Sequence, residues 1–99
     1  MIPTGDPAAM LAAAARLRMR AERIDAVSAS LGSRVAAMVY AGPAADRFRS
    51  SMTDRNGRAR TVAAQLYELA DTLTRAAGQL ETAQLEQAAL ARAAEEGAL

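Results

Sequence analysis

The chain predicts an all-α fold: an antiparallel two-helix hairpin, pairing into a four-helix bundle. Three observations carry this. Apolar residues recur in alternating steps of four and three along most of the sequence, the one strong internal break is Gly42-Pro43, and that break falls near the middle of 99 residues. So short a connection between two long helices forces them antiparallel.

Helix one is predicted over about residues 7–40. Asp6-Pro7 opens it, because the aspartate accepts from free first-turn amides and proline has no amide to leave unpaired. Met10, Leu17, Ile24, Leu31 and Met38 then recur at every seventh position, with Ala14, Ala21, Ser28 and Val35 between them.

The turn is predicted at residues 41–43. Gly42 can adopt the positive φ that ends a helix, Pro43 pre-sets φ for the next one, and Ala44 and Ala45 let the backbones approach.

Helix two is predicted over about residues 44–94, followed by a flexible C-terminal tail, so that residues 1–99 form a single domain. Its seam reads Phe48, Met52, Arg55, Ala59, Val62, Leu66, Leu69, Leu73, Ala76, Leu80, Ala83, Gln87 and Leu90, with Arg55 and Gln87 as its polar interruptions. Asn56-Gly57 is a turn-favouring pair. The register survives across it, which favours a continuous helix, with a kink as the alternative.

Folding about the turn pairs Val35 with Phe48, Leu31 with Met52, Ile24 with Ala59, Leu17 with Leu66 and Met10 with Leu73. The core and association seam is therefore predicted to be Met10, Leu17, Ile24, Leu31, Val35, Met52, Val62, Leu66, Leu69, Leu73 and Leu80. Hydrophobic residues make up 52% of the chain but aromatic ones only 3%. Much of the apolar content is alanine, which buries little area, so a lone hairpin is marginal. Leu11, Val27, Val39 and Ala63 lie beside the seam and widen it toward the face of a bundle, which calls for a second hairpin. Helix two also overshoots helix one by roughly 25 Å at about 1.5 Å per residue.

No cysteine or histidine is present, which removes disulfides, thiolate nucleophiles, imidazole bases and the usual zinc ligands. Glu81, Glu86, Glu95 and Glu96 fall where burial is too slight to raise a carboxylate pKa for acid–base work. No catalytic, cofactor-binding or metal-ligating residue is assigned, and the chain is read as a non-enzyme. All twelve basic residues are arginine, which fits a GC-rich genome.

Residues 1–60 carry ten arginines against five acids, and residues 61–99 carry two against six, so the halves differ as +5 and −4 and attract when folded together. Arg16, Arg20, Arg23, Arg47, Arg49, Arg58 and Arg60 are interleaved with Glu22, Asp25, Asp46 and Asp54, and no aromatic platform accompanies them; nucleic acid is not expected as a partner. No run approaches the roughly 18 apolar residues of a membrane span. The arginines near the N-terminus follow the apolar run at residues 8–15 instead of preceding it, unlike a signal peptide, so any export is expected to be leaderless.

The turn segment reads Val39-Tyr40-Ala41-Gly42-Pro43-Ala44-Ala45-Asp46-Arg47-Phe48. Placed mid-chain between two heptad helices, it resembles the Trp-X-Gly (WXG) family, the early secretory antigen-like hairpins of type VII (ESX) secretion, with Tyr40 standing where tryptophan is usual. The resemblance implies a turn motif of Tyr40, Gly42, Pro43 and Phe48. It implies a homodimer, or a heterodimer with another WXG-like hairpin or an effector domain, that engages the secretion machinery. It further implies a protein cytoplasmic before export and then secreted by the type VII route. The family's second signal is a tyrosine followed four residues later by an acid; the match here is Tyr67 and Asp71, earlier in the chain than the family places it. A cytosolic coiled-coil adaptor is the alternative reading, and a basic nucleic-acid-binding hairpin a more distant one.

Overall fold

A computed structural model of the chain describes residues 5–97. It contains two helices, α1 (Pro7–Ala36) and α2 (Pro43–Gly97), packed side by side in a rod whose Cα extents are 86 × 16 × 12 Å. Among the described residues there is no strand.

At the start of α1 the Asp6 carboxylate accepts from the amides of Ala8 at 3.0 Å and Ala9 at 3.3 Å, and Pro7 is the first helical residue. Two of the orphan donors at a helix N-terminus are thereby satisfied. The predicted end of α1 near residue 40 is not observed: the helix stops at Ala36, and the connection occupies residues 37–42. Gly42 adopts φ +109°, a conformation that costs a residue with a Cβ.

The earlier stop lengthens the connection but leaves the pairing near the turn close to that expected, with Leu31 and Met52 lining one groove. An extended residue spans about 3.3–3.6 Å against about 1.5 Å in a helix, so six connector residues climb well past the end of α1 before α2 begins. The first turns of α2 consequently stand beyond Ala36, beside the connector. Along the rod, Asn56 Nδ2 donates to Ser28 O at 3.0 Å, Arg18 Nη2 donates to Asp71 Oδ1 at 3.1 Å and to Thr74 Oγ1 at 3.0 Å, and Gln84 Nε2 donates to Gly5 O at 3.0 Å. Asn56 beside Ser28 agrees with the expected pairing, and the long Arg18 side chain reaches past the level of Leu66 to Asp71 and Thr74.

α2 continues without interruption through Asn56-Gly57 and on to Gly97. The amide that would favour a local turn is committed across the interface to Ser28 O, so the turn tendency has no competing hydrogen bond to offer. The tail predicted after residue 94 is helical as far as Gly97, and residues 98–99 lie outside the described residues.

The interior differs from the apolar seam read in the sequence. The buried residues are Ala14, Ala21 and Ser28 on α1 and Ala63, Ala70 and Ala77 on α2, each set spaced by seven. Met10, Leu17, Ile24, Leu31 and Val35 flank the first set half-buried, and Met52, Leu66, Leu73 and Leu80 flank the second. Val62 and Leu69, assigned to the seam by the alternation of four and three, are instead 46% and 49% exposed. The reason is steric: alanine and serine at every seventh residue let two helix axes approach closely, and the bulkier neighbours then straddle the contact instead of filling it. The same one-residue rotation turns Phe48 outward and brings Arg49 toward the connector. Leu80 meets Gly5, where an added Cβ would lie 2.7 Å from Leu80 Cδ2.

Candidate functional site

Two features stand out for function: the turn motif and an apolar face that the hairpin leaves uncovered. At the turn, Tyr40 is 73% exposed and Phe48 also reaches solvent, so neither closes the core. The connector is held by Arg49, whose guanidinium donates to Met38 O at 3.0 Å and to Tyr40 O, and pairs with Asp46 at 3.5 Å. These are charge-assisted bonds to carbonyls with no helical partner. The Asp46 amide donates to Gly42 O at 3.0 Å, starting the α2 ladder. Gly42, Pro43 and Arg49 thus fix the path of the chain and leave the Tyr40 ring presented outward. The sequence offers Arg49 only as one of the interleaved arginines; the loop carbonyls it binds become visible only once α1 stops at Ala36.

Tyr67 and Asp71 both lie in the overlap with α1. Tyr67 is half-buried, and its phenol pKa is raised above the ordinary 10.0 by desolvation and then by the Glu22 and Asp25 carboxylates. Asp71 is paired with Arg18. The two residues are therefore engaged within the hairpin, on the side where α1 faces them. That ion pair is largely solvated, and such pairs contribute about 0–1 kcal/mol.

On the other flank of α2 runs an open stripe. Phe48, Val62, Leu69 and Leu90 occupy one heptad position and are all exposed, while Ala76 and Ala83 continue it partly covered and Arg55 interrupts it. Val27 of α1, likewise exposed, adds to the outward apolar surface. No large side chain among the described residues is fully buried. The chain exposes 7413 Å² at a mass of 10.3 kDa, where a folded globular monomer of that mass exposes about 5,400 Å². The excess is what a rod one helix pair thick must show, and its apolar part is available to a partner.

Nearer the turn, a groove of about 370 Å³ opens between the helices, lined by Leu31, Gly32, Val35, Met52, Asn56 and Arg49 among others. It sits where the small Gly32 and Ala36 leave space beside the first turns of α2. Among the described residues no helix is long and apolar enough to cross a membrane.

No curated protein and no solved structure matches the chain. The family described as proteins of 100 residues with WXG matches residues 5–94, from the glycine packed on Leu80 to the α2 overhang. With the hairpin and turn in place over that span, the chain belongs to the WXG100 family, whose members are small helical proteins of type VII (ESX) secretion.

Proposed function

We propose that this protein acts without catalysis, as a dimerising type VII secretion substrate or as the small partner of a larger secreted effector, and that the open stripe of α2 is where the partner packs. The observation that carries this is the outward position of Val62 and Leu69. Side chains of that size at regular heptad spacing, half-exposed on a rod whose own interior is alanine, complete a bundle when a second hairpin covers them. Membership of a family whose members dimerise with partner proteins supports the same reading. Tyr40 is free to be read by the export machinery, because its ring contributes little to the hairpin.

The test joins association to export. Val62→Asp places a charge in the covered face of the complex, and it is expected to abolish co-purification with a hairpin partner and to keep the protein out of the culture medium. Export is also expected to stop when the membrane-coupled secretion ATPase of the host is deleted. Undiminished association and export of the Val62→Asp protein would contradict the proposal.

A further inference from the structure

We propose that Asn56-Gly57 is a site of self-modification gated by the hairpin: the asparagine persists while the two helices are packed, and converts to aspartate and isoaspartate once this stretch of α2 opens. The site is independent of how the protein pairs or is exported.

The residue types supply the chemistry. The backbone nitrogen that follows an asparagine can attack the side-chain Cγ, closing a five-membered succinimide and expelling ammonia. Water then opens the ring. Attack at the side-chain carbonyl leaves aspartate; attack at the main-chain carbonyl leaves isoaspartate, in which the chain runs through the side-chain carbon. The exchange is one water for one ammonia, with no change of oxidation state. Glycine is the least obstructed attacker, because it has no Cβ and reaches unusual backbone angles at little cost. Asn56 is the single asparagine of the chain, and Gly57 follows it.

The packed hairpin holds each reacting group off this path. Gly57 lies inside the uninterrupted α2 ladder, where each N–H donates to the carbonyl four residues earlier. The nitrogen that must attack is therefore committed, and its approach to Cγ requires Asn56 to leave the helical ψ of about −42°. The other reacting group is anchored as well, with Asn56 Nδ2 donating to Ser28 O at 3.0 Å. Solvent is not what is withheld: Asn56 lines the groove near the turn, beside Gly32 and Thr53, so water reaches it. Conformation sets the rate, and Gly57 is itself a weak point of the helix.

Conversion weakens the contact that guards against it. Asn56 stands one heptad before Ala63, in line with the buried Ala63, Ala70 and Ala77, and Ser28 opposite is 3% exposed. Aspartate has no hydrogen to give the Ser28 carbonyl and sets a carboxylate beside it. Isoaspartate goes further, because the carbon it adds to the main chain breaks the spacing of the ladder in a helix of 55 residues. An opened chain thus becomes one that closes less well, and the change is irreversible.

The experiment follows the intact mass of the purified full chain, its labelling by an isoaspartyl methyltransferase and its helicity, at one pH and temperature with and without urea. Conversion is expected to be at least about tenfold slower in the folded chain, since only the opened fraction reacts. Ala70→Leu crowds the buried interface about four turns from the site and leaves Asn56-Gly57 unchanged. It is expected to speed conversion without urea and to match the wild type in urea. Asn56→Gln is expected to keep its mass in both. Converted chain returned to buffer is expected to melt at a lower temperature than chain unfolded too briefly to convert. Equal rates despite loss of helicity in urea, or an Ala70→Leu chain that melts lower yet converts no faster, overturns the gating. Absence of conversion in urea, or its persistence in Asn56→Gln, overturns the site. Unchanged melting of the converted chain overturns the consequence for the hairpin.

Discussion

At the scale of single residues, the turn is governed by backbone conformation and by Arg49 more than by aromatic packing. Gly42 is held at φ +109°, where a Cβ is strained, although no neighbouring atom would obstruct it. Gly42→Ala should therefore cost about 1–2 kcal/mol through backbone strain alone, measured by urea unfolding at fixed protein concentration. A neutral result would show that the connector relaxes without consequence. Tyr40 and Phe48 carry the family resemblance yet lie at the surface. We propose that their value is in what they present to another molecule, with the phenol of Tyr40 standing where the resemblance implies an indole.

At the scale of elements, both helices and the site of the break were legible from heptad spacing and from Asp6-Pro7 and Gly42-Pro43, because those signals are local. The rotation of α2 was not. Hydrophobicity favoured Val62 and Leu69 as core, whereas close approach of two helices favours Ala63 and Ala70, and only the docked pair reveals which demand wins. The same holds for the turn: residues 37–40 have helix-compatible side chains, and the chain leaves the helix after Ala37 where Arg49 of α2 donates to the carbonyls of Met38 and Tyr40. Gly57 sits in the continuous interior of α2 with open space where its side chain would be. Gly57→Ala should raise stability by about 0.5–1 kcal/mol in thermal unfolding. Destabilisation would mean that the helix bends there in solution.

At the scale of the whole molecule, the alanine seam and the outward stripe are two consequences of one choice. A close-packed interior of small side chains buries little area per residue, so the hairpin alone is weakly stabilised, and the larger apolar groups it displaces lie at the surface, where the proposed partner packs. On the proposed pairing, folding and partnership are linked by mass action, with the paired state more stable than the separate rods. Substituting the adjacent residues Leu69 and Ala70 and measuring each protein twice, by thermal unfolding when dilute and by association when concentrated, probes this arrangement most directly. Ala70, fully buried between the helices, has no room for a larger group, and Ala70→Leu should destabilise the dilute hairpin by about 1–3 kcal/mol. Leu69→Ala should leave the dilute hairpin's melting nearly unchanged and weaken association by tenfold or more. The reverse outcome, in which Leu69→Ala unfolds the dilute protein and Ala70→Leu is tolerated, would contradict the account.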